Sequence, residues 1–592
     1  MQTIRNGSFP YPARAIRYSL STFIALCLVA FSVASQQSKP AASKSVVMTA
    51  LEEELKRAQQ ILKQKGEPAP YLIGYQLTET HYNVVSATRG ALQNSDGGKL
   101  RQLDVEVRVG DYQLDNTHRV SGGGGYAGGG GQAIPVSIED DLDAIKSAIW
   151  METDRKYKSA VERLIQIKAN QTIKVEEEDK SADLSRETPQ TAILPTVSVS
   201  FTAQQRTEWE KKIKEWSALL NQYPEILESS VMLSAEGVNK YHVSTEGTML
   251  QHGNTHSRIT INARTKAEDG MEMYRYETFD AMTPDRLPKA EIIIAAIQKM
   301  AKDLIALRNA PMIEPYTGPA ILSGRASGVF FHEIFGHRIE GHRQKDEDGG
   351  QTFTKQVNKP ILPAFISVYD DPTLQRLKTA EGDVDLNGYY QFDDEGVKTQ
   401  RVTVVENGLL KNFLMSRSPI KGFSNSNGHG RKSAGLRAVG RQGNLIVESS
   451  QTVSEVKLRE MLIEECKKQG KPFGLIFSDI SGGFTNTSRG GPQSFQVTPV
   501  MVYRVFTDGR PDELVRGVDL IGTPLVSFSK ILATSNQPEV FNGVCGAESG
   551  WVPVSAVAPS ILTAQIEVQK KPKSNDRLPI LPPPGQEKPA SR

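Results

Sequence analysis

The period of apolar and polar positions changes several times along the chain. Thr49-Ala-Leu-Glu52 has the form of a capping box and predicts a helix running to about Lys65. Residues 70–118 alternate instead, as in Leu103-Asp-Val-Glu-Val-Arg-Val109, and a period of two predicts strands with one buried face. Helical spacing returns from Asp140 to about Asn170 and again over 203–222, and strand alternation resumes over 228–280. Pro284 to Arg308 predicts a long helix with Ile293, Ile294 and Ile297 on its inner side. Pro311, Pro315 and Pro319 then break the pattern, because proline fixes φ and lacks a backbone donor. A domain boundary is expected there.

One further helix is expected over about 323–344. Short strands follow, interrupted by a helix near Val453 to Lys468. Arg401-Val-Thr-Val-Val405 runs into Glu-Asn-Gly408, and Val500 to Phe506 runs into Thr-Asp-Gly509, both turn signals between strands. The expected fold class is α+β. A mixed α/β domain over 48–310 precedes a strand-rich, antiparallel domain over 311–569, which carries the 323–344 helix. Residues 570–592 hold six Pro and many charges and are expected to be a disordered tail.

Composition narrows the class. Hydrophobic residues make up 38% of 592, with 49 Gly besides, enough for sizeable cores and too little for a polytopic membrane protein. The net charge of +2 gives no global attraction to nucleic acid or acidic lipid. Three Cys exclude a disulfide scaffold and a four-thiolate zinc cluster. Ser121 to Gly131 holds eight Gly but lacks the Gly-Lys-Ser/Thr ending of a phosphate loop, so a mobile insert is expected.

Residues 1–35 read as a signal peptide. Arg5, Arg14 and Arg17 precede an apolar run from Leu20 to Val33, and Val33-Ala34-Ser35 offers small residues for cleavage. The expected product is exported, periplasmic in a cell with two membranes, and without a stable membrane span. An uncleaved anchor is the alternative. After cleavage Cys466 and Cys545 remain, and two thiols in an oxidising compartment are open to a disulfide.

The densest chemistry lies at 332–342, which holds three of the nine His: His332-Glu333-Ile334-Phe335-Gly336-His337-Arg338-Ile339-Glu340-Gly341-His342. Imidazoles bind zinc, and an adjacent carboxylate can take a proton from water. Five residues at ~100° each leave the first two His ~140° apart on a regular helix, with ~7.5 Å of rise. Convergence on one ion therefore requires a kink or π-bulge between Phe335 and Arg338, where Gly336 gives backbone freedom. Three histidines on an ordinary helix surface would fit the same spacing.

The segment Gly328-Val-Phe-Phe-His-Glu-Ile-Phe-Gly-His-Arg-Ile-Glu-Gly341 resembles the active-site helix of the TldD/PmbA family of metallopeptidases. The resemblance continues through Asp394-Glu395-Gly396-Val397, Val405-Glu-Asn-Gly-Leu-Leu-Lys411, Asn427-Gly-His-Gly-Arg431 and Ser481-Gly-Gly-Phe-Thr-Asn-Thr487. It ends in Arg516-Gly-Val-Asp-Leu-Ile-Gly522, Gly543-Val-Cys-Gly-Ala-Glu-Ser-Gly550 and Val552-Pro-Val554, and upstream Arg108 to Asn116 resembles the family's N-terminal domain. The resemblance implies one zinc ion per chain held by His332, His337 and Cys545, with Glu333 as general base. Glu340 and His342 are the other candidates for third ligand, and Arg431, His429 or a backbone NH for stabilising the oxyanion. Cys545 is expected on an accessible turn, and Cys466 buried on a helix.

The implied activity is hydrolysis of peptide bonds in unfolded or extended polypeptides by a water activated on zinc. The implied assembly is a dimer with a motif-less PmbA/TldE-like paralogue or with a second copy, and no nucleic-acid partner is expected. The alternatives are a non-catalytic binding or assembly subunit and a zinc hydrolase of a non-peptide substrate.

Overall fold

The computed structural model describes residues 44–118, 132–171, 179–345, 351–380, 382–487, 495–522 and 524–571, with Pro579 and Leu581. The expected signal segment 1–35, the Gly-rich run 121–131 and nearly all of the 570–592 tail lie outside these residues.

Two long antiparallel hairpins lie side by side in the first half. Pro70–Thr88 pairs with Ala91–Val109, Glu228–Ser244 pairs with Met249–Lys266, and Pro70–Thr88 pairs with Glu228–Ser244. Glu272–Ala281 extends this seven-stranded sheet beyond Met249–Lys266. The alternation that predicts strands also sorts their side chains. Ile73, Tyr75 and Leu77 are buried with the helices Val46–Lys65 and Leu142–Gln171. The helices Ala203–Ala218 and Ala290–Asn309 bury Ile213, Trp216, Ile293, Ile297 and Leu304 against the rest of the sheet. Each such side chain contributes about 1.5–3 kcal/mol on burial, so these apolar stripes hold the layer. The intervening position Gln76 instead meets the second half of the chain. Its side-chain amide donates to Asp394 Oδ1 at 3.2 Å, and Lys240 pairs with the same carboxylate.

Two helix starts differ from expectation. The first helix begins at Val46, because the Ser45 hydroxyl accepts from the Met48 amide and caps it a turn earlier. Thr49 is already inside that helix, donating to Ser45 O at 3.1 Å. The long helix expected from Pro284 begins only at Ala290, after a 3-10 turn at Pro284–Arg286 and a second proline, Pro288.

The second half is a twelve-stranded sheet that closes on itself. Gly550–Lys570 pairs with Val518–Gly522, which pairs with Phe495–Phe506; Phe473–Thr485 and Tyr316–Leu322 follow, and Tyr316–Leu322 pairs back with Gly550–Lys570. Most pairings are antiparallel, as expected. The exceptions are Leu475–Phe477 with Ala320–Leu322, Asn444–Ile446 with Ser555–Val557, and Thr452–Val453 with Thr534–Ser535.

The helix Gly324–Ile334 packs against Phe473–Thr485 and Gly550–Lys570 and is buried on nearly every side. Phe330 meets Phe495 and Phe528 edge to face, and Phe331 stacks on Phe528. The single helix expected over 323–344 thus ends at Ile334.

Candidate metal centre

The chain changes direction just where the candidate residues fall. Phe335 ends the buried helix, and Gly336–Arg338 form one 3-10 turn. Leu414 N then donates to Ile339 O, and Gly341 N donates to Leu414 O, each at 2.9 Å. Arg338 N and Ile339 N already bond three residues back, to Phe335 O and Gly336 O, and the Leu414 bonds keep the chain beyond from resuming an i to i−4 ladder. The expected distortion between Phe335 and Arg338 is therefore a break followed by a 3-10 turn, not a π-bulge. Gly336 makes the break possible: a Cβ there would collide with the side-chain amide of Gln442.

The break brings His332 and His337 together, with ring centroids 5.2 Å apart and planes at 76°. Cys545 Sγ lies 3.4 Å from His337 Nε2, and one donor atom from each of the three residues falls within 4.8 Å of the others. All three are buried. Cys545 is not on an accessible turn. It lies in the strand Ile531–Ala547, paired with Val552 of Gly550–Lys570, two residues before that strand ends. Alternation turns Cys545, Val552 and Val554 inward and leaves Val544 and Trp551 exposed. Cys545 and Cys466, the two cysteines among the described residues, are both free thiols, and Cys466 is packed with Leu458 and Leu462 on the helix Glu455–Lys468. Burial pushes the Cys466 thiol up to about 11, so it stays protonated.

Electrostatics at Cys545 run the other way. Burial alone would raise its pKa, but His337 and then His332 hold it well below the usual thiol range. Burial likewise opposes a charge on His337, yet the Cys545 sulfur and the Glu340 carboxylate hold its pKa well above the usual imidazole range. The sulfur is thus poised as a thiolate, the form that binds metal.

Glu340 and His342 take other roles than ligation. Glu340 is fully buried, with Oε1 3.1 Å from His337 Nδ1 and Oε2 accepting from Arg343 Nε at 2.6 Å. Burial disfavours its charge, but His337, Arg343 and Arg441 push its pKa down to about 2. A carboxylate behind a ligating imidazole fixes its tautomer and leaves Nε2 facing the other donors. His342 pairs with Glu548, which also accepts from Arg343 Nη2 at 2.9 Å. His429 pairs with a carboxylate and Arg431 braces the backbone. His429 Nε2 lies 3.1 Å from Asp370 Oδ1, and Arg431 donates to Gln442 O at 2.6 Å and Pro553 O at 2.7 Å.

Gly483, Thr485 and Thr487, alternate residues of one segment, face the motif. A Cβ on Gly483 would lie 2.9 Å from Glu333 Cγ, Thr485 Oγ1 accepts from Arg338 at 2.7 Å, and Thr487 Oγ1 accepts from Arg343 at 3.0 Å. Glu333 is half-buried beside His332. Arg338 is buried, and its other bonds go to Ile334 O and Asn486 O. No carboxylate faces it among the described residues. Sequence reasoning missed Arg343, Arg441 and Glu548. Glu548 stood in a recognised motif, whereas Arg441 stood in none.

Two imidazole nitrogens and one thiolate, with a carboxylate behind one imidazole, are a donor set that suits zinc. The buried His332 Nδ1 has no hydrogen-bond partner among the described residues. The comparisons with known proteins agree with a metal-dependent reading. Residues 315–570 match the PmbA/TldA metallopeptidase C-terminal domain. A metalloprotease of Archaeoglobus fulgidus is 28% identical over 242 residues, 41% of this chain and 51% of that protein. A zinc metalloprotease TldD homolog of Saccharolobus solfataricus is 26% identical over 257 residues, 42% of this chain and 51% of its own length. The chain thus matches about half the length of these relatives. TldE from Thermococcus kodakarensis shares the fold with a TM-score of 0.57 at 13% identity, over 88% of this chain and 100% of that one.

Proposed function

Because the chain belongs to the TldD/PmbA family of metallopeptidases, we propose that it is a zinc-dependent peptidase acting on unfolded or extended polypeptides. The observation that carries this reading is the convergence of His332, His337 and Cys545 to within 4.8 Å beside Glu333. His332, His337 and Cys545 would hold the zinc. When bound, zinc would supply a Lewis acid that makes water acidic and polarises a carbonyl. Glu333 then takes the proton of the attacking water and delivers it to the leaving amine. Its place against Gly483 keeps the carboxylate beside His332. Glu340 keeps His337 Nδ1 occupied, which leaves Nε2 as the nitrogen that would hold the cation. Phe331 and Phe335, which flank His332 in the chain, are packed with Phe528 in the buried core and anchor the segment that carries the motif.

The proposal extends to setting. The Arg-flanked apolar run before Gln36 supports export to a periplasm, and none of the described helices is long and apolar enough to cross a membrane. The similarity to TldE supports a TldD/TldE-type dimer, with a motif-less paralogue or a second copy as partner. The test is incubation of the mature protein with an unfolded polypeptide. Cleavage by wild type and not by Glu333→Gln supports the reading, and equal cleavage by both would remove Glu333 from it.

A further inference from the structure

Arg441 touches both halves of the candidate metal centre, the Cys545 strand and the Glu340 carboxylate. It is fully buried. Its Nη2 donates to the carbonyl of Cys545 at 2.8 Å, and its Nη1 donates to Ser549 Oγ at 2.8 Å and Gly550 O at 3.2 Å. Those three acceptors belong to both strands and the turn of the terminal hairpin. Its Nε lies 3.4 Å from Glu340 Oε1, the oxygen that also faces His337 Nδ1. The next residue, Gln442, reaches the third ligand, donating from Nε2 to the carbonyl of His332 at 3.4 Å. The Arg441 amide is itself anchored to His429 O at 2.9 Å.

We infer that Arg441 is a positioning residue for the metal centre, fixing the Cys545 strand and the Glu340 carboxylate at the separation that lets Cys545 and His337 share one cation. The inference rests on the metallopeptidase reading. A planar guanidinium suits this task because its donors are rigidly spaced and can meet carbonyl, hydroxyl and carboxylate together. Lysine at 441 would keep the charge beside Glu340 but could not serve both strands of the hairpin in the same geometry. The effect reaches the cation through Cys545 and His337 and not by contact with it.

The test loads the mature protein with cobalt(II) in place of zinc. Affinity is read by competition with a chelator, and cysteine ligation by the thiolate-to-cobalt charge-transfer band. Wild type, Arg441→Met and Arg441→Lys are compared, with the thermal melt of each metal-free form. Both variants are expected to bind cobalt about 10–100-fold more weakly, the usual cost of losing an outer-shell partner, with a reduced or shifted band. Glu333→Gln should leave affinity and band as in wild type. If Arg441→Met does not fold, Arg441→Lys alone decides the question. Wild-type affinity and an unchanged band in a folded Arg441→Lys overturn the inference and leave the metallopeptidase reading standing. A wild-type chain that binds no cobalt overturns both.

Discussion

Cys545 Sγ lies 3.4 Å from Nε2 of His337, although 208 residues separate the two. The contact joins the terminal hairpin to the turn that ends the buried helix. Neither element alone could hold a cation, so metal binding reports that both have docked.

Replacing Cys545 by Ser puts a neutral hydroxyl where the thiolate stands. Oxygen is a harder donor, and the hydroxyl stays protonated at neutral pH, so zinc affinity should fall by more than the about 10–100-fold cost of an outer-shell loss. Chelator competition checks this, and unchanged affinity would remove Cys545 from the ligand set.

Glu333→Gln should separate chemistry from binding. Zinc affinity should stay at the wild-type level while peptide hydrolysis falls about 10²–10⁴-fold, the range of general acid–base catalysis. A variant that loses zinc along with activity would make Glu333 a ligand and not a base.

Gly336→Ala tests the break in the helix. The added methyl must displace Gln442, which leans on the His332 carbonyl. Overpacking of this kind costs about 1–3 kcal/mol, visible as an earlier urea midpoint with an unchanged slope. An unaltered midpoint would mean that the turn has slack to absorb a side chain.

These tests bear on features of unequal visibility in the sequence. His332, Glu333 and His337 stood out by local density, and periodicity marked most elements, because both are short-range signals. The pattern over 323–344 predicts one helix, but beyond the break at Phe335 the chain is held by Gln442 against Gly336 and by Leu414 at Ile339 and Gly341, contacts far along the chain that no local pattern encodes. Gly543 and Gly546 on either side of Cys545 predict a turn, yet alternation within a hairpin buries it. Arg441 was invisible for the same reason, since its acceptors at 340, 545, 549 and 550 meet only in the folded chain. Ser45 took the cap expected of Thr49, since the buried Val47 and Met48 draw the helix one turn earlier.

Glu395 should make stability depend on pH. Burial pushes its pKa up to about 7, against the lowering effect of Arg417. The folded pKa is above the unfolded one, so the stabilisation is present at low pH and is lost as pH rises through about 7. Glu395→Gln removes the ionisation while its side-chain oxygen can still accept from Arg417 N, which Glu395 Oε2 does at 2.6 Å. Between about pH 5 and pH 8 wild type should lose urea-unfolding stability relative to this variant. Parallel profiles would show that Glu395 titrates normally in the folded chain.

Zinc content per chain, measured in the purified protein and in the double variant His337→Ala/Cys545→Ala, decides whether these residues form a metal centre. One zinc per wild-type chain is expected, and none in a double variant that remains folded. Equal zinc in both, or none in a folded wild-type chain supplied with zinc, would contradict that expectation.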